Sequence, residues 1–245
     1  MSRRQERPSP PGDADAQHGQ DGHTIAERVE DVVAAVKPRL RGWLHAGSFP
    51  LVVAAGIVLI ALAPTTGSRW ASVIFASTAA LLFGTSALYH RGNWSPRTRM
   101  LLKRFDHSNI FLIIAGTYTP FATLLLPAGQ ARTLLWIVWA GAVGGVLFRV
   151  FWVNAPRWLY TPVYIALGWV AVIYLPGFYH SGGLALLTLI VVGGALYTAG
   201  AVVYALKRPD PSPQWFGFHE IFHACTVAAF VVHYIAVSMA VYTST

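Results

Sequence analysis

After residue 31 this chain has three acidic side chains in more than two hundred positions: Asp106, Asp210 and Glu220. The other seven of its ten acids lie in residues 1–31. Residues 42–245 carry 11 Lys and Arg against those three acids, which is the whole net charge of +8. With 11% charged residues overall and 55% hydrophobic ones, against roughly 25% charged in a typical soluble domain, that stretch has too little polar surface to cover a water-soluble globule. In lipid every backbone polar group must be satisfied internally, so a bundle of spanning helices is the all-α architecture such a sequence can adopt.

Apolar runs of about 18 residues or more separated by polar breaks predict seven spans: 46–64, 71–90, 106–126, 134–152, 159–176, 184–206 and 216–242. The breaks carry turn and charge signals such as PTTGSR, PAGQAR, NAPR, PGFYHSGG and KRPDPSPQ. The fifth run is the shortest and contains Pro162, so a six-span chain is the competing count. Charge decides between them. With seven spans, the connections on the N-terminal side hold Arg91, Arg97, Arg99, Lys103, Arg104, Arg149, Arg157, Lys207 and Arg208, and the opposite ones hold only Arg69 and Arg132. Nine against two is a strong positive-inside bias, and losing one helix would break the alternation. The expectation is a cytoplasmic N-terminus and an external C-terminus, in a domain covering 41–245. Residues 1–40, rich in Pro, Gly and charge, read as a disordered cytoplasmic tail without a secretory signal. Residues 31–42 read as a short interfacial helix. The single cysteine, Cys225, excludes an internal disulfide and a Cys-rich metal site.

Ionisable residues inside spans are costly and mark function. Span two ends SALYHR, with Ser86 and His90. Span three begins FDHSN, with Asp106 and His107. Span seven begins FHEIFHACTVAAFVVHY, with His219, Glu220, His223 and His233. Parity puts the end of span two and the starts of spans three and seven on the same side of the membrane. His219 and His223 are i and i+4, so both imidazoles leave one helix face, the way helices present two histidines to one ion. Three histidines from two helices with a carboxylate from a third match a catalytic zinc site, which has three protein ligands and an open position. The bland alternatives are interfacial histidines satisfied by headgroups, an Asp106 favoured by the helix dipole, and a Ser86 bonded back into its own helix.

These residues resemble the hemolysin III proteins of bacteria, a seven-helix membrane family that also contains the adiponectin and progestin receptors. The resemblance covers most of residues 40–243. It is specific at SxxxH (Ser86 to His90), at FDHSNIFLIIAGTYTPF, and at HxxxH (His219 to His223) followed by AAFVVHY. It implies zinc held by His90, His219 and His223, with Asp106 and Ser86 as catalytic residues beside the zinc's water. It implies a multi-pass protein of a bacterial plasma membrane.

Glu220 is one residue from a ligand, hence about 100° round the helix, and faces away from the metal; HEIFH matches HExxH in letters without the soluble cleft and further ligand of a metalloprotease. His233 lies roughly 15 Å beyond His223 along the helix, too far to share an ion, and reads as a buried hydrogen-bonding histidine. Tyr118, Thr119 and Pro120 mark a bend that lines a cavity. Three functions follow: a zinc hydrolase of a lipid amide or ester, ceramidase-like as the resemblance implies; a lipid-sensing receptor with structural zinc; or a cytolysin, as the family name implies. Direct pore formation is disfavoured, because only one end of the bundle is polar. The expected partner is a membrane lipid and not a nucleic acid.

Overall fold

A computed structural model of the chain describes residues 38–244. The tail expected over 1–40 lies almost wholly outside the described residues, as does most of the interfacial helix expected over 31–42; the described part of that helix, 38–42, forms turns. The helices are α1 (Trp43–Ala61), α2 (Thr66–Arg91), α3 (Pro96–Leu125), α4 (Ala128–Phe151), α5 (Arg157–Gly168), α6 (Leu175–Leu206) and α7 (Phe218–Tyr242), with a tighter 3-10 stretch over Trp169–Tyr174. No strand forms among the described residues; one isolated bridge joins Ser212 and Phe216 ahead of α7. The protein is all-α.

Helix starts follow local chemistry. Thr65 and Ser68 form a reciprocal capping box at α2, and Ser95 caps α3 with Pro96 at its first position, where a missing N–H costs nothing. That cap starts α3 ten residues before the expected span at 106. Hydropathy locates where a helix becomes apolar, whereas the backbone keeps its hydrogen bonds through Arg97, Arg99, Lys103 and Arg104 because nothing there breaks the helix.

Among the described residues six helical segments are long and apolar enough to cross a membrane, with Arg157–Leu206 counted as one of 50 residues. A straight helix of that length would span about 75 Å. It does not run straight. Gly183 has φ 72° and ψ −179°, a conformation that only glycine adopts readily. The limbs on either side bond to each other: Arg157 Nη1 donates to the Tyr204 carbonyl at 3.5 Å, Tyr160 to the Tyr204 hydroxyl at 3.4 Å, and Trp169 Nε1 to Thr198 Oγ1 at 2.9 Å. The pairing of 157 with 204 and 169 with 198 makes an antiparallel hairpin. The turn expected over PGFYHSGG is therefore confined to Gly183, and residues 175–182 remain helical with Phe178 buried. Proline is tolerated at the first turn of α6, so Pro176 carries no stop signal there.

Helix α3 is central. Buried residues make up 72% of its most apolar window, against 22% for α1, and it packs on α2, α4, α5, α6 and α7. Its inner half is Ala115, Gly116, Thr117, Tyr118, Thr119 and Pro120, all buried. Small residues let helices approach where lipid supplies no hydrophobic drive. Outward-facing large side chains such as Leu51, Trp70, Trp136 and Phe151 are exposed, as a lipid-facing surface requires. The Tyr118 hydroxyl donates to the Gly168 carbonyl at 2.5 Å and accepts from the Ala171 N–H at 2.7 Å. It thereby satisfies backbone groups at the α5 irregularity, the condition for non-helical backbone within a bilayer.

Candidate metal centre

The last turn of α2 and the first two turns of α7 meet at one end of the bundle. His90 Nε2 and His219 Nε2 are 3.3 Å apart. With His223 they form a group whose ligand atoms all lie within 4.8 Å of one another, and ring centroids are separated by 4.9 Å (His90–His219), 5.2 Å (His90–His223) and 4.6 Å (His219–His223). Nitrogens held at roughly 2.0–2.1 Å by a tetrahedral ion are about 3.3 Å apart, so the closest pair already has that spacing. A hydrogen bond between one protonated and one bare nitrogen would explain that pair alone. It does not explain the third imidazole brought to the same point. The group fits a metal ion.

Asp106, on the cavity-facing side of α3, places Oδ2 at 3.8 Å from His90 Nε2, and Ser86 lines the same cavity. Ser86 is one turn before His90 on α2 and is buried. The sequence candidates for metal and catalysis thus converge on one place. Glu220 does not join them. It is 1% exposed, accepts from Arg41 Nε at 2.5 Å and from the Gly217 N–H at 2.9 Å, and is held away from the histidines. His107 Nδ1 donates to the Lys103 carbonyl at 2.8 Å and sits 3.7 Å from Asp106 Oδ2. His233 lies deeper, with Nε2 at 3.2 Å from the Ile190 carbonyl.

Two contributors escaped the sequence reading. His45, in the first turn of α1, is buried and stacks on His223 with centroids 3.9 Å apart and planes 10° from parallel; its ring edge meets Phe83 at 4.9 Å. Gly42, just before it, has φ 80°, and a Cβ there would stand 2.5 Å from His90 Cβ. The same parity that united α2, α3 and α7 also places the start of α1 at this end, so His45 carried a usable signal. The expected first span began at 46 and left it outside.

Behind the histidines a cavity, open at its mouth, runs into the bundle. His45, Ser86, Asp106, His219 and His223 line one end, and residues such as Ile113, Phe121, Leu175 and Phe178 line the rest. Polar chemistry at one end of a long apolar space suits an amphiphile.

The chain matches the family model described as "Haemolysin-III related" over residues 33–234. It is 37% identical over 172 residues to the "Hemolysin-3 homolog" of Bacillus subtilis, covering 69% of this chain and 80% of that protein. It is 34% identical over 188 residues to the "Hemolysin-3" of Bacillus cereus, covering 75% and 85%. A more distant relative is the "Adiponectin receptor protein" of Drosophila melanogaster, 27% identical over 162 residues, covering 58% of this chain and 36% of the receptor.

Proposed function

This chain belongs to the haemolysin-III related family, and from that premise we propose that it is a multi-pass membrane protein of a bacterial plasma membrane in which His90, His219 and His223 hold zinc for hydrolysis of a lipid amide or ester. The observation that carries the reading is the 3.3 Å approach of His90 Nε2 to His219 Nε2, with Asp106 beside them and an apolar cavity behind. Three histidines leave one position of a tetrahedral ion open, where a structural zinc has four protein ligands.

Zinc, when bound, supplies Lewis acidity that brings the pKa of water towards 7 and polarises a carbonyl. The protein's own groups do the rest. Asp106 Oδ2 takes the proton of the attacking water and returns it to the leaving nitrogen or oxygen, a general base and then acid. Ser86, which lines the same cavity, offers its hydroxyl to orient the Asp106 carboxyl. The His45 ring, flat against His223, limits how that imidazole can rotate. The acyl chain lies in the cavity, whose apolar wall excludes competing water.

The Gly183 hairpin supports reading 157–206 as two crossings, hence seven in all. The nine-to-two charge asymmetry supports a cytoplasmic N-terminus and, with it, histidines near the cytoplasmic face. The test is lipidomics of cells producing wild type, His219→Ala or Asp106→Asn, run beside zinc content of the purified proteins. The expected result is zinc in wild type and Asp106→Asn, and one lipid class consumed by wild type alone. Wild type without zinc, or Asp106→Asn with full turnover, overturns the mechanism.

A further inference from the structure

A second pocket opens at the same end of the bundle, between α3, α4, the α4–α5 connection, the start of α5 and α6. Lys103, Arg149 and Arg157 line it together with Asn154, and among the described residues no Asp or Glu does. Arg149 is the unusual member. It is 1% exposed. Its Nη2 donates to the Val153 carbonyl at 3.2 Å, its guanidinium stacks 4.3 Å from the Tyr160 ring centre, and its Nε and Nη1 have no hydrogen-bond partner among the described residues. Arg157 spends one nitrogen on the Tyr204 carbonyl and its face on the Tyr204 ring. Among the described residues the ion pairs are Arg41 with Glu220 and Asp106 with His90 and His107, so none reaches these three cations.

A guanidinium is always charged, and burying one is costly unless it is both paired and hydrogen-bonded. Two further like charges around the same pocket raise that cost. An anion with several acceptor oxygens removes it. Phosphate suits the site better than carboxylate: it offers three oxygens and about −1.5 to −2 charges as a monoester, against two oxygens and one charge. The arginine fork takes two oxygens and the lysine ammonium acts as a point charge.

We propose that Lys103, Arg149 and Arg157 form a phosphate-binding site. The phosphate can belong to a lipid headgroup, since basic pockets between transmembrane helices take anionic headgroups, or to a free phosphate. The pocket shares a wall with the histidine cavity, because His107, Tyr160 and Tyr204 line both. Binding here does not depend on hydrolysis or on zinc.

The experiment is native mass spectrometry of the purified full chain in detergent, with phosphatidic acid, phosphatidylcholine and inorganic phosphate as separate probes, on wild type, Arg149→Met and Lys103→Gln. Wild type should retain phosphatidic acid over phosphatidylcholine, and Arg149→Met should weaken it about tenfold or more, as expected for losing charge-assisted hydrogen bonds. Retention of inorganic phosphate alone, weakened by the same variants, supports the site and assigns it to a free anion. Should Arg149→Met fail to fold, the half-buried Lys103→Gln decides by the same loss. Wild type that holds neither phosphatidic acid above phosphatidylcholine nor inorganic phosphate overturns the proposal, as does unchanged affinity in a folded variant.

Discussion

The histidine centre and the basic pocket lie side by side at one end of the bundle, divided by His107, Tyr160 and Tyr204, and they are built on opposite principles. The first gathers lone pairs: three imidazoles with a carboxylate beside them, a set that a cation organises. The second gathers cations around a buried guanidinium with two free donor nitrogens, a set that an anion organises. Polar groups in a bilayer-spanning bundle are expensive wherever they sit. Separating donors of electron pairs from donors of protons by one layer of aromatic side chains keeps each set from neutralising the other. Had Arg149 faced Asp106, the two would have formed an internal ion pair and neither site would offer a charge to a ligand.

The sharpest way to break this comparison is to remove a ligand from the first pocket. His219→Ala or His223→Ala should lose zinc and all turnover, and lower the melting temperature by the linkage a tightly bound ion provides, about 4 kcal/mol at a free concentration a thousand times Kd. Arg149→Met should keep wild-type zinc content. Elemental analysis and melting curves on the same preparations check both halves; zinc loss in Arg149→Met would show that the two pockets are one.

Asp106→Asn comes next. It should retain zinc and fold while turnover falls by about 10²–10⁴, the usual worth of a positioned general base, read in a lipid-turnover assay. A smaller effect is expected from Gly42→Ala. The φ of 80° and the 2.5 Å approach to His90 Cβ together should cost about 1–3 kcal/mol and loosen zinc roughly tenfold or more, measured by competition with a chelator. Phosphate retention should be untouched, because Gly42 does not reach the basic pocket.

The smallest effect separates the two carboxylates at this end. Glu220→Gln removes an acid adjacent to a ligand, yet that acid already serves Arg41 and the Gly217 N–H. Turnover should stay within a few-fold of wild type while stability drops by on the order of 1 kcal/mol, since Arg41 is partly exposed and its pair is screened. Turnover lost to the level of Asp106→Asn would make Glu220 the base instead.

Much of this was legible in the chain. The scarcity of acids after residue 31 required a membrane bundle. The i, i+4 spacing of His219 and His223, combined with span parity, brought His90 and Asp106 to the same end. His45 was within reach of the same argument and was lost only to a boundary drawn one residue late. The Gly183 reversal was not legible in position, because PGFYHSGG offers several turn residues and only packing selects one; Phe178 is buried in the core, which keeps its segment helical. Arg149 looked like one of nine orienting charges, and nothing in its neighbours in sequence says that it is buried.

By itself the sequence determined the solvent of this protein, the periodicity of its helices and which faces carry imidazole, because hydropathy, charge asymmetry and helical spacing act over a few residues at a time. The tertiary structure alone decided that a glycine folds the 157–206 segment back on itself, that His45 leans on His223, and that Arg149 is sealed behind Tyr160 with two nitrogens unspent. The contact of His45 with His223 joins residues far apart in the chain, and the other two depend on how whole helices pack. Their contacts follow from the way the helices pack around α3, and a local pattern carries no information about which helix lies alongside.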